Sequence, residues 1–352
     1  MRIGERDYNI KVGLTFFIGI SIISILVIMF LDIDRNTWMS LRKVRLEYGF
    51  IAGILMVTQW SFNGIRFKIL LNSLDNKVSF WTSLEAFMAN IFMSAMTPSQ
   101  TGGGALQIYV LNRAGVSLAK AFTGCLMGAV LTVFCMLVLT LSALIFKPDL
   151  RVELGHQMMY IFITVCAIFL FMFVLFTLSL FKIKIIKRIT GRFLLFLTNV
   201  MKSKKRLGIT KRVLYGLDQY SKCISIYTRT KRYKLFLACL YTFAAIITNS
   251  FIAPVLFAGL NVHCNSLNVF LTQFILLFIA YFSPTPGASG IAEFSNYWMM
   301  SSLNIDSNIL GIYTLIWRFY TSFIGVIIGG IITLTLLRQR KRKTNYIKLK
   351  LS

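Results

Sequence analysis

The stretch Tyr281-Phe-Ser-Pro-Thr-Pro-Gly-Ala-Ser-Gly-Ile-Ala-Glu293 sets prolines, glycines and a carboxylate inside an apolar chain, and that combination excludes a continuous membrane helix. Pro284 and Pro286 each remove a backbone donor, while Gly287 and Gly290 loosen the backbone. In lipid, polar groups freed this way persist only where protein or trapped water receives them. The segment is therefore expected to be a re-entrant or interrupted helix that lines a cavity.

A weaker copy lies earlier, at Thr97-Pro-Ser-Gln-Thr-Gly-Gly-Gly-Ala-Leu-Gln107. Laid without gaps over Ser283 to Glu293, Pro98 falls on Pro284, Gly104 on Gly290 and Gln107 on Glu293. Gly102 and Gly103 fall on the small residues between them. Paired broken segments in corresponding halves of a chain point to a substrate site at a repeat interface.

Composition fixes the solvent. Of 352 residues 57% are hydrophobic and 14% charged, with mean hydropathy +0.71, which excludes a soluble globule and leaves an all-α polytopic membrane protein. Against 38 Lys and Arg stand 12 Asp and Glu, and the excess sits in two blocks that flank apolar segments. There the blocks read as orientation signals and contacts to anionic inner-leaflet lipids, not as a nucleic-acid surface, for which no basic folded domain is present.

A full span needs about 20 apolar residues. Six stretches qualify: Val12 to Leu31, Tyr48 to Leu70, Leu118 to Phe146, Gln157 to Phe181, Tyr233 to Leu260 and Ile309 to Leu337. Phe80 to Met96 and Leu267 to Phe282 are shorter; each ends at a break and is followed by an amphipathic return, Ala105 to Gly115 and Phe294 to Leu303. The expected organisation is a first membrane half over 1–181 with its broken segment at 80–117, and a basic loop at 182–234. A second half over 235–337, with its broken segment at 267–305, and a basic tail at 338–352 complete it.

Sixteen Lys and Arg against one acid between Lys182 and Lys234, and seven against none from Arg338 to Lys350, put loop and tail on the cytoplasmic side. Tracing back from the loop makes 80–117 begin and end in the cytoplasm and 267–306 begin and end outside, so the two halves are inverted repeats with both termini cytoplasmic. Within the loop, Val213, Leu214, Leu217, Tyr220, Ile224 and Tyr227 recur at helical spacing, as in an amphipathic helix on the inner leaflet.

Few side chains can carry chemistry. Glu293 should sit below the outer surface, where an ionisable group needs a partner. A last helix starting near Asp306 carries Arg318 about 18 Å deep at 1.5 Å per residue, which makes a Glu293–Arg318 pair the main expectation. Arg318 is then either a cavity cation that attracts a lipid phosphate, helped by the amides of the breaks, or a strut consumed by Glu293. In the first half Gln107 replaces the acid and Thr132 stands where Arg318 does, so that half is expected to be uncharged at its core. Arg66 and Arg113 are expected to snorkel at the inner surface, and Asn63, Asn90 and Asn249 to bond helix to helix.

Enzyme templates fit poorly. His156 and His263 have no nucleophile or carboxylate at motif spacing, and Gly102-Gly-Gly104 is not followed by a Lys-Ser/Thr pair. No Cys/His cluster suggests a metal, and no cofactor is implied.

Thr97-Pro-Ser-Gln-Thr-Gly-Gly-Gly-Ala-Leu-Gln-Ile-Tyr-Val-Leu-Asn-Arg-Ala-Gly115, together with Pro284-Thr-Pro-Gly-Ala-Ser-Gly-Ile-Ala-Glu293 and a late intramembrane Arg318, resembles the transmembrane region of lysylphosphatidylglycerol synthetases. That region is the flippase-like part of the bacterial multiple peptide resistance factor, found also as stand-alone proteins. The resemblance implies a cell-membrane protein that moves anionic or aminoacylated phospholipid between leaflets and so contributes to resistance to cationic peptides. It would use Pro98, Gly102, Gly103, Gly104, Gln107, Tyr109 and Arg113 from one motif, and Pro284, Thr285, Pro286, Gly287, Gly290, Glu293 and Arg318 from the other. Relatives fused to an aminoacyl-tRNA-dependent transferase make lysylphosphatidylglycerol. With fifteen residues after Leu337 here, that activity would come from a separate protein. A phosphatidylglycerol lysyltransferase, alone or as its membrane subunit, and a membrane scaffold for a partner lipid or glycolipid enzyme are the remaining alternatives.

Overall fold

The computed structural model describes residues 45–146, 232–303 and 307–336, with Gly19, Lys222, residues 225–227 and Ile305 besides. The expected spans Val12 to Leu31 and Gln157 to Phe181, most of the basic loop, and the tail lie outside the described residues. Among the described residues every regular element is helical. The first half comprises α1 (Leu46–Ser73), α2 (Phe80–Met96), a 3-10 turn (Pro98–Gln100), α3 (Thr101–Arg113) and α4 (Leu118–Phe146). The second comprises α5 (Arg232–Ser250), α6 (Ile252–Gly259), α7 (Ser266–Phe282), a 3-10 turn (Pro286–Ala288), α8 (Ile291–Ser301) and α9 (Ile309–Leu336).

The order of elements repeats. Leu46–Ser73 and Arg232–Gly259 are separated by the same spacing as Phe80–Met96 and Ser266–Phe282. The caps obey it too. Ser79 Oγ accepts from the Thr82 amide at 3.1 Å to start α2, and Asn265 Oδ1 accepts from Leu267 and Asn268 at 3.1 and 3.3 Å to start α7. The one long helix of the first half is interrupted in the second at Phe251, because Pro254 has no N–H for the Ser250 carbonyl one turn back. The span read as Tyr233 to Leu260 is thus two helices.

At the breaks the gapless overlay fails. Pro98 and Pro286 each open a 3-10 turn, and each is followed by two left-handed residues, Ser99 and Gln100 (φ 51° and 55°) and Gly287 and Ala288 (φ 57° and 58°). Pro98 therefore matches Pro286, not Pro284. The second half has spent two extra residues before its turn and spends two more, Ser289 and Gly290, before α8. With the return helices starting at Thr101 and Ile291, the spacing between the halves has grown by four residues, so Thr132 matches Ser322 and not Arg318. The return helices also start earlier than their apolar pattern suggests, at Thr101 and Ile291, because Gly102-Gly-Gly104 is helical.

α4, the α5–α6 pair and α9 are long and apolar enough to cross a bilayer. α1 has the length but not the unbroken apolar window, since Gln59, Ser61, Asn63 and Arg66 interrupt it. Phe50, Phe146, Phe236 and Ile331 point outward and exposed on four different long helices, as lipid-facing side chains do. The largest apolar cluster gathers α6 to α9 around Phe257 and Tyr313, whose rings stack at 3.9 Å. α2 packs along α3 in a hairpin, and α7, its turn and α8 form the counterpart.

Candidate functional site: two breaks over a polar cavity

The two hairpins meet tip to tip. Ser99 N–H donates to the Pro284 carbonyl at 3.3 Å, and Gln100 Nε2 donates to the Ala280 carbonyl at 3.1 Å. Each break thus receives part of the other's displaced backbone polarity, which is what membrane burial demands of irregular chain.

On the second side Arg318 Nε lies 2.9 Å from Glu293 Oε1, the ion pair that the sequence led us to expect. Both residues are buried, at 3% and 0% exposure. Glu293 uses its other oxygen, Oε2, to accept from the Gly290 amide at 2.8 Å, so one carboxylate caps its own helix and anchors the next. Arg318 Nη2 donates to the Gly287 carbonyl at 2.6 Å and Nη1 to Ser322 Oγ at 3.0 Å. Three nitrogens of the guanidinium therefore have protein partners, and the pair pins α9 against the second break.

Beneath the tips lies a cavity of about 300 Å³, bordered by α1 to α5, α7, α9 and residues of both turns. Its polar lining is Gln59, Asn63 and Arg66 from α1, Asn90 and Ser94 from α2, Gln100, Gln107, Thr132, Thr242, Asn249, Tyr281, Thr321 and Ser322. Thr321 and Ser322 reach it from a π-helical turn, Phe319–Phe323, inside α9. Neither Arg318 nor Glu293 borders it. Asn63 and Asn249, which stand at equal positions of α1 and α5, both do.

Arg66 overturns the snorkelling expectation. It is 5% exposed, Nη1 donates to Thr132 Oγ1 at 2.7 Å, and its guanidinium carbon sits 4.7 Å from the Phe67 ring centroid. The first half is therefore not uncharged at its core. The reason is close helix packing: a Cβ on Gly128 would lie 2.9 Å from the Phe67 ring, so only glycine lets α4 come near enough to enclose Arg66. Arg113, by contrast, is at the surface and hydrogen-bonds the Leu336 carbonyl at the end of α9.

Of the residues of the two motifs, Gln107 and Gly287 border the cavity, as do Arg66, Asn63, Asn90 and Asn249 from outside them; Pro98, Thr285, Pro286 and Gly290 shape the breaks. Gly102 and Gly103 serve packing. A Cβ on Gly103 would stand 2.0 Å from Ser94 Oγ and 2.8 Å from the Asn90 carbonyl, so α3 can lie on α2 only there. Gly104 faces open space, and Tyr109 packs beside the first-half cluster of Leu71, Val110 and Leu111. Asn90 Nδ2 donates to Gln107 Oε1 at 3.1 Å, a helix-to-helix bond as expected; Asn63 instead bonds within its own helix, to the Gln59 carbonyl at 3.0 Å. Of the apolar series in the basic loop, Tyr227 is described. It is buried, and its hydroxyl donates to the Leu70 carbonyl at 2.7 Å. The rest of the series lies outside the described residues.

A helical protein with lipid-facing long helices and two broken helices meeting over an internal polar cavity is an all-α membrane protein. The chain belongs to the family described as the lysylphosphatidylglycerol synthase TM region, whose model matches residues 16–329. It is similar to a UPF0104 membrane protein of Archaeoglobus fulgidus, 25% identical over 302 residues, covering 84% of this chain and 88% of the relative. A UPF0104 membrane protein of Pyrococcus horikoshii is 22% identical over 338 residues, covering 92% and 97%.

Proposed function

We propose that the protein translocates phospholipid between leaflets, with an anionic or aminoacylated headgroup such as lysylphosphatidylglycerol passing through the cavity while the acyl chains stay in lipid. The observation that carries this reading is the meeting of the two breaks over a cavity whose lining, among the described residues, holds a cation and no acid. At about 300 Å³ the cavity is at the small end of ligand sites, matched to a headgroup and too small for the tails. In this reading the halves are inverted, multi-pass in the cell membrane with both termini cytoplasmic. They rock about the headgroup, and the breaks keep their shared hydrogen bonds only in one of the two arrangements. The family to which the chain belongs supports a lysylphosphatidylglycerol-related role in the membrane, which would contribute to resistance to cationic peptides. A lysyltransferase, where one takes part, would be a separate partner.

Proteoliposomes with fluorescent phosphatidylglycerol or lysylphosphatidylglycerol test this, with leaflet exposure read by an impermeant quencher. Protein-dependent exchange is the expected result. Absence of exchange across pure and mixed anionic vesicles would overturn it, as would synthesis of new lipid from charged tRNA without exchange.

A further inference from the structure

We propose that Arg66, assisted by Gln107, is the anion-binding centre of the cavity and takes the phosphate oxygens of its ligand, whereas Arg318 is structural. The site rests on the translocation reading only for where the phosphate comes from.

Arg66 is an enclosed guanidinium whose described neighbours supply one neutral hydroxyl and one aromatic face. Its Nε–H has no acceptor. Among the described residues no carboxylate borders the cavity. Enclosing a charge without a counter-charge costs several kcal/mol, and a single hydroxyl and a ring do not offset that. The arrangement is complete only when an anion is present.

Gln107 points to the same conclusion independently. Ser94 Oγ donates to Asn90 Oδ1 at 3.3 Å, Asn90 Nδ2 donates to Gln107 Oε1 at 3.1 Å, and Gln107 Nε2, in a side chain 2% exposed, is left without an acceptor. Both unsatisfied side-chain atoms that border the cavity are therefore donors, one charged and one neutral. A ligand that answers both carries negative charge and several acceptor oxygens, and a phosphate meets an arginine edge with two parallel bonds. Arg318 cannot serve, because Glu293, Gly287 and Ser322 hold it outside the cavity lining.

The test is calorimetric titration of the purified full-length protein with dihexanoyl phosphatidylglycerol, with dihexanoylglycerol as the phosphate-free control and inorganic phosphate as a second titrant. Arg66→Gln should weaken phosphatidylglycerol binding by about tenfold or more, as loss of a charged hydrogen-bonding partner does, while Gln107→Leu costs about threefold. The control should not bind. If inorganic phosphate binds and competes, free anion suffices; if it does not while the lipid does, the headgroup is the ligand. Either result requires the Arg66 dependence. Should Arg66→Gln fail to fold, Arg66→Lys keeps the charge, loses the planar fork and should still bind less tightly. Wild-type affinity in either folded variant, or binding by the phosphate-free control, would overturn the proposal. Lipid exchange in vesicles is a separate measurement: its absence in the wild type sinks translocation and leaves the anion site standing, whereas exchange with undiminished binding by Arg66→Gln does the reverse.

Discussion

Arg66 and Arg318 are both enclosed, and each gives an Nη1–H to a hydroxyl at a matching place on a long helix, Thr132 on α4 and Ser322 on α9. What differs is the charge around them. Arg318 has Glu293 at 2.9 Å and a carbonyl at 2.6 Å, and its charge is spent on fixing a helix to a break. Arg66 has no carboxylate around its cavity among the described residues, and an Nε–H left over. One repeat of the same backbone plan therefore closes its charge with protein, and the other leaves it for a ligand. A buried arginine by itself says little about function; the acids and acceptors around it separate strut from site.

That contrast can be broken most directly at Glu293. Glu293→Ala strands Arg318 without its acid and uncaps α8, and should cost about 3–5 kcal/mol, read as a lowered unfolding midpoint in detergent. Glu293→Leu with Arg318→Met should recover most of it. Next in size, Gly103→Ala forces a methyl against Ser94 and the Asn90 backbone and should cost about 1–3 kcal/mol; the cost belongs to hairpin packing and should appear without ligand. Arg66→Met sharpens the comparison, because removing a charge that has no acid leaves Thr132 still bonded to the Gly128 carbonyl at 3.0 Å. Unliganded stability should not fall, and removing the uncompensated charge should raise it by about 1–4 kcal/mol. A loss as large as that of Glu293→Ala would show that both arginines are struts. Smallest of all, Ser99 holds φ 51° where its counterpart in the second half is glycine. Ser99→Gly should raise stability by about 0.5–1 kcal/mol, because a left-handed conformation strains residues that carry a Cβ.

Much of this was legible in the chain. Pro98, Pro286 and their glycines announced the breaks, and Glu293 and Arg318 announced each other, because a lone acid and a lone base at similar depth in lipid have few other partners. The register between the halves was not legible. Two extra residues before one turn and two after it are invisible to a gapless overlay, and only the matching pair of left-handed residues in each turn reveals the shift. Arg66 was missed for a similar reason. Near a helix end beside Lys68 it has the pattern of a snorkelling side chain, and the one signal against this, Gly128 opposite Phe67, lies sixty residues away in the chain.

Hydropathy and chain breaks are properties of short stretches, so the sequence by itself settled that this is a helical membrane protein with a broken element in each half. Which arginine is spent and which is left over depends on how closely helices distant in sequence approach. That is a matter of distances of a few ångströms, where electrostatics and hydrogen bonds are decided, and only the tertiary structure supplied them.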